Sequence, residues 1–164
     1  MGIDGDTCTS AILQTGVDFC IQNGVASYDA WYEWYPDYAY DFTGIRISAG
    51  DLIKVSVNAT STSTGIATLE NLSAGQSVSH SFTSGVQGDL CEYNAEWIIE
   101  DFEEDNRLVP FANFGTVTFS NAQATDGTSV VGPSGATVID IEQKGTVLTH
   151  SSYTNNSVTV KYVG

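Results

Sequence analysis

The sequence predicts an all-β fold, an antiparallel β-sandwich of two sheets. Apolar and polar residues alternate with a period of two in most windows, as half-buried strands require. The 16 glycines among 164 residues fall mainly in pairs such as Asn23-Gly24, Asp126-Gly127 and Lys144-Gly145, which punctuate those windows as turns. No window of helical length sustains a 3.6-residue period. Together these give roughly ten or eleven short strands at close spacing, the pattern of a sandwich. The length suits one domain over residues 1–164.

In chain order, Ala11 to Asp18 reads as a strand with Ile12, Gln14, Gly16 and Asp18 on one face. An amide and a carboxylate there share an otherwise apolar strand. In the segment Tyr28 to Tyr35, alternation puts Asp29, Trp31, Glu33 and Tyr35 on one side, and Ala30, Tyr32 and Trp34 on the other. The second side suits a core, and the first is a stripe of carboxylates and aromatics suited to a polar polymer. Ile53 to Ala59, Ile66 to Leu69 and Val78 to Phe82 follow as further strands. The run Glu96 to Phe102 reads as a strand with Trp97, Ile99 and Asp101 facing one way and Glu96, Ile98, Glu100 and Phe102 the other. A carboxylate at Glu100, flanked by Ile98 and Phe102, is expected to be partly desolvated and so suited to proton transfer. Thr116 to Phe119 and Ser157 to Val160 complete the strands, with a turn at Asn155-Asn156.

Composition excludes several functions. Five Lys and Arg against 20 Asp and Glu leave a formal charge of −15. Arg46, Lys54, Arg107, Lys144 and Lys161 are scattered, so no basic patch for nucleic acid or an anionic membrane can form. No apolar run reaches the ~18 residues of a membrane span, and no signal peptide precedes Gly2. The acidity itself fits either a solubility device or a protein built for an acid medium, where carboxylates are partly protonated. His80 and His150 lack partners at metal-ligand spacing, and Asp4-Gly-Asp6 lacks the rest of a calcium loop, so neither metal nor cofactor is expected. No serine sits in a nucleophile elbow, and Cys8 and Cys20 have no basic neighbour to lower their pKa. Three cysteines allow one disulfide and leave one sulfur over. Asn58-Ala-Thr60, Asn71-Leu-Ser73 and Asn155-Asn-Ser157 are candidate glycosylation sites that lean towards secretion.

Longer motifs are more specific. Gly2-Ile-Asp-Gly-Asp-Thr-Cys8, Ala11-Ile-Leu-Gln-Thr-Gly16, Tyr28-Asp-Ala-Trp-Tyr-Glu-Trp-Tyr-Pro36, Leu69-Glu-Asn-Leu72 and Asn94-Ala-Glu-Trp-Ile-Ile-Glu-Asp-Phe-Glu103 resemble the fungal glutamic peptidases, the eqolisin family or peptidase family G1. The resemblance runs over essentially the whole chain. It implies a concanavalin A-like, lectin-like sandwich with a substrate cleft on its concave face, and a secreted acid endopeptidase acting on polypeptides, monomeric and without a cofactor. By position, Gln14 and Glu100 match the family's catalytic glutamine and glutamate. Asp29, Trp31, Glu33, Tyr35 and Phe102 match residues that line the cleft, the segment from Tyr35 to Gly44 matches a hairpin over it, and Asp4 and Asp18 match supporting positions. The resemblance also implies a Cys8–Cys91 disulfide. Family members carry further residues, including strands and a tryptophan, before the first motif, where this chain has Met1. Cys20 matches a cysteine that pairs with one in that upstream segment, so the chain reads as N-terminally truncated. In this light the −15 charge is better explained by an acid medium. Two other readings stay open. One is a glycoside hydrolase on a similar sandwich with Glu33 and Glu100 as its carboxylate pair, a mechanism that gives Gln14 no necessary role. The other is a catalytically incompetent fragment or binding module of the same fold.

Overall fold

The computed structural model describes residues 1–104 and 107–164, and among these there is no helix. The chain divides into two compact units, Met1–Ile98 and Ile99–Gly164. The first contains β1 (Gly2–Ile3), β2 (Ile12–Gln22), β3 (Val25–Tyr35), β4 (Tyr40–Asp41), β5 (Ile53–Ser61), β6 (Thr64–Asn71), β7 (Gln76–Phe82) and β8 (Ala95–Glu96). They form a five-stranded sheet in the order β4-β3-β2-β1-β8 and a three-stranded sheet β5-β6-β7, and every pairing is antiparallel.

The β2–β3 hairpin sets the register of the larger sheet. Gln22 pairs with Val25, which leaves Asn23-Gly24 as a two-residue loop with φ of 53° and 77°. Both values lie in the left-handed region that a primed hairpin turn needs, and Asn-Gly supplies it with little strain. From that turn the strands pair without a bulge from Gln22↔Val25 to Ile12↔Tyr35. Every side chain along both strands is thereby assigned to one face or the other.

The face carrying Leu13, Ala30 and Trp34 is the core, as the alternation predicts. Leu13 is 0% exposed and Trp34 2%, and they cluster with Ala11 and Leu90 against Ile3, Val57, Ala59, Phe82 and Val86. Burying a side chain such as Leu13 contributes about 1.5–3 kcal/mol. Tyr32, on the same face, stacks on His80 of β7 at 4.1 Å between ring centroids and packs on Phe42 at 4.7 Å. The Tyr35-Pro36 peptide bond that ends β3 is cis.

Two features tie the first residues to the segment before β8. Cys8 and Cys91 form a disulfide spanning 83 residues. The fully buried Asp4 carboxylate accepts four backbone N–H bonds, from Cys91 at 2.7 Å, Glu92 at 2.6 Å, Tyr93 at 2.7 Å and Asn94 at 3.4 Å. One candidate glycosylation site is removed by packing. Asn71 is buried, and its Nδ2 donates to the Arg46 carbonyl and the Asp51 carboxylate, whereas Asn58 and Asn155 are exposed.

The second unit contains β9 (Glu103–Glu104), β10 (Arg107–Leu108), β11 (Thr116–Ser120), β12 (Ala124–Thr125), β13 (Val130–Val131), β14 (Glu142–Gln143), β15 (Thr146–Val147), β16 (Thr149–Tyr153) and β17 (Ser157–Tyr162). β11-β17-β16 form a sheet, and β9-β10, β12-β13 and β14-β15 are antiparallel pairs. Val160 and Ala122 are buried there, and Phe111, Phe114 and Tyr162 pack edge to face or tilted at 5.7–6.1 Å. The strands predicted at Thr116 to Phe119 and Ser157 to Val160 are β11 and β17.

Candidate active site

In the first unit the stripe predicted on β2 and β3 is present on the face opposite the core. Gln14 pairs with Glu33, Gly16 with Trp31, and Asp18 with Asp29. Directly opposed residues of an antiparallel pair project to the same face, so these six line up as three cross-strand rungs. Gln14 Nε2 donates to Glu33 Oε2, which fixes which end of the amide meets the carboxylate. Trp31 lies across Gly16: a Cβ there would come within 2.8 Å of the indole Cζ2. The absent side chain lets the indole reach over the strand, where Nε1 donates to Asp18 Oδ1 at 2.8 Å. Thr15 Oγ1 donates to the Trp31 carbonyl and pins the same residue from the core side.

One carboxyl of this face is shifted towards its neutral form. Burial pushes Asp18 above the usual aspartate range, and the Asp29 and Asp41 carboxylates add to the rise while the Trp31 N–H opposes it. Asp29 is exposed and lines a hollow of about 330 Å³ with Tyr28, Asp41, Phe42 and Arg46. Tyr35, at the end of β3 opposite Ile12, is 47% exposed.

The row through Gln14 continues beyond β2. Gly2 of β1 pairs with Gln14 on one side and with Glu96 of β8 on the other, giving the order Glu33, Gln14, Gly2, Glu96 across four strands. The expected strand from Glu96 to Phe102 differs from what is found. It stops at Glu96, because β8 only has the two-residue β1 to pair with, although residues 97–102 still alternate between half-buried and exposed.

Glu100 and Phe102 belong to the second unit. Glu100 is exposed, not desolvated as the flanking residues suggest, and Phe102 is 38% exposed. Asp101 between them points the other way, and its Oδ2 accepts a hydrogen bond from Gln143 Nε2 on β14. The Phe102 carbonyl accepts the Val109 N–H at 3.1 Å. Asp101 and Phe102 thereby tether the backbone on the C-terminal side of Glu100.

Asp4 acts on backbone only: its four bonds hold residues 91–94 and so set the approach to β8. Cys20 is exposed near the far end of β2, among exposed Phe19, Ile21 and Val25. Sequence reasoning gave no role to Gly2, Gly16, Asp41 and Glu96 in the first unit, nor to Gln143 in the second. Glycines opposite Gln14 and Trp31 could have signalled close approach, but only once the register was known.

Comparison with known proteins assigns the chain to a family. The model of the Peptidase A4 family matches residues 1–162. The chain is 68% identical over 163 residues to aspergillopepsin-2 of Aspergillus niger, covering 99% of this chain and 58% of that protein. It is 47% identical over 170 residues to scytalidopepsin B of Scytalidium lignicola, covering 99% of this chain and 64% of that protein. It thus spans 58% and 64% of the length of these two relatives. The crystal structure of aspergilloglutamic peptidase from Aspergillus niger superposes with a TM-score of 0.96 at 68% identity, over 99% of this chain and 95% of that one. The all-β architecture is therefore that of the eqolisin sandwich, and the chain belongs to the Peptidase A4 family, the eqolisin or G1 family of glutamic peptidases.

Proposed function

We propose that the protein is a glutamic-type acid endopeptidase in which Glu100 and Gln14 activate water for attack on a peptide bond. The observation that carries this reading is the Gln14 amide, half-buried on the stripe, with its nitrogen given to Glu33. One N–H of that amide is committed to Glu33, and the second is left to donate to an oxyanion; the carbonyl oxygen is left to orient water. The Glu100 carboxylate takes a proton from the water as its oxygen adds to the peptide carbonyl. It then returns that proton to the leaving nitrogen as the C–N bond breaks. Asp29, Trp31, Glu33, Tyr35 and Phe102 bind the polypeptide, with Asp18 holding Trp31 and Asp4 holding the β8 approach.

The similarity to aspergillopepsin-2, scytalidopepsin B and aspergilloglutamic peptidase supports a peptidase. The same reading makes the protein a secreted monomer of one peptidase domain, and the −15 charge supports an acid medium. Glu100→Gln and Gln14→Ala are expected to abolish cleavage of unfolded protein at acid pH while circular dichroism reports an intact fold. Near-normal proteolysis by either variant would overturn the proposal.

A further inference from the structure

Glu96 occupies the last place in the row that contains Gln14, and the proposed mechanism gives it no task. Its carboxyl folds back over Gly2. A Cβ on Gly2 would lie 3.2 Å from Glu96 Oε2 and 3.2 Å from Gln14 Cβ, so the two side chains flank the same gap. Only a residue without a side chain at position 2 lets them approach in this way.

The two oxygens of Glu96 are unequal. Oε1 accepts the Gly5 N–H at 2.6 Å. Oε2 is buried and has no hydrogen-bond partner among the described residues. A buried ionised oxygen with no donor is costly, whereas the same oxygen in a neutral carboxyl is tolerated far better. The surrounding charges lean the same way. Burial raises the pKa of Glu96, and Asp4 and Asp6 reinforce the rise, against the Gly5 N–H and the Met1 ammonium. On the other side of Gln14 stands Glu33, which receives the amide nitrogen.

We propose that Glu96 is a positioning residue for Gln14, a carboxyl that must stay neutral so that no second anion sits beside the oxyanion donor. The inference rests on Gln14 serving the reaction as proposed above. An oxyanion donor works by meeting growing negative charge with a fixed dipole, and a buried carboxylate on its flank opposes that charge. Ionising Glu96 at this range is expected to lower kcat about tenfold to a hundredfold. This supplies an alkaline limit to activity separate from the acid limit, which the Glu100 base sets by becoming protonated.

The test is the pH profile of kcat and kcat/KM in the full-length protein. Glu96→Gln keeps the shape and the acceptor for Gly5 but cannot ionise. It is expected to leave the acid limb in place and move the alkaline limb to higher pH. Glu96→Ala leaves the Gly5 N–H without its acceptor and opens the flank of Gln14, and is expected to lower kcat about 10–10²-fold at every pH. An alkaline limb for Glu96→Gln that superimposes on the wild type would overturn the proposal, as would wild-type kcat for Glu96→Ala. If either variant fails to fold, carboxyl titration of Glu96 by carbon NMR in the unaltered protein decides. A group still protonated above the ordinary glutamate range supports the proposal, and one titrating within that range overturns it. Gln14→Ala and Glu100→Gln run in parallel separate the two levels. If those two lose proteolysis while the Glu96 variants match the wild type, only this inference falls.

Discussion

Replacing Asp4 by asparagine tests how much of the first unit hangs on one side chain. The carboxylate is 0% exposed and takes N–H bonds from residues 91–94, three of them at 2.6–2.7 Å. In the native arrangement Oδ2 serves Cys91 and Glu92, and Oδ1 serves Tyr93 and Asn94. An asparagine of the same shape has one oxygen and one NH₂, so whichever way it turns, two backbone N–H groups face another donor. A hydrogen bond to a charged group contributes about 1.5–3 kcal/mol, and a buried donor left without an acceptor costs about 1–3 kcal/mol. Because the two lost bonds on either oxygen share one geometry and are not additive, the expected loss is about 3–5 kcal/mol. Urea unfolding of the wild type and Asp4→Asn, with the Cys8–Cys91 disulfide intact in both, measures it through the shift in midpoint at constant slope. A loss below about 1 kcal/mol would mean that the 91–94 backbone finds other partners, and the view of Asp4 as its anchor would fail.

Three further outcomes follow from the same geometry. The folded-state pKa of Asp18 is raised above the ordinary 3.8, so its contribution to stability is complete below that value and is lost as pH rises through the folded pKa. Asp18→Asn is therefore expected to flatten the pH dependence of unfolding on the alkaline side of pH 3.8, and an unchanged dependence would contradict the shift. Gly16→Ala puts a methyl group 2.8 Å from Trp31 Cζ2 and is expected to break the indole bond to Asp18. Altered Trp31 fluorescence and a raised KM check it, the fluorescence change being assigned with Trp34 and Trp97 retained. Reducing the disulfide, or Cys8→Ser with Cys91→Ser, removes a loop constraint of 83 residues and is expected to cost about 4–5 kcal/mol by thermal or urea unfolding.

What the sequence made legible was local. Alternation assigned Gln14 and Asp18 to one face of their strand and Asp29, Trp31, Glu33 and Tyr35 to one face of theirs, because a strand has a period of two, and the register set at the Asn23-Gly24 turn brings the two faces to the same side of the sheet. The cross-strand rungs follow from those two facts alone. The positions that local patterning leaves unmarked depend on contacts distant in the chain, Asp4 among them, to which only the family resemblance points. Asp4 meets its donors 87–90 residues away, and no local pattern marks it. Glu96 joins Gln14 only through Gly2, a strand of two residues too short to show a period. Residues 97–102 alternate as a strand would but have no ladder, because alternation reports which side is buried and not whether a neighbouring backbone is there to pair. Asn71 satisfies a triplet pattern that is blind to burial.

The acidity of the chain can now be tied to particular residues. A charge of −15 by itself says only that the protein repels itself at neutral pH. Asp18 and Glu96 lie on the sheet that carries Gln14, and burial shifts both towards the neutral form, with other carboxylates reinforcing the shift. A folded state whose buried carboxyls hold protons more tightly than the unfolded chain gains stability as pH falls towards their unfolded values. The same protons keep negative charge away from the amide that the proposed reaction needs as a donor. Stability and chemistry then both respond to pH through groups on the same sheet. A surplus of surface carboxylates added for solubility would not produce that coupling, because such groups lack the burial that favours the neutral form and sit apart from the site.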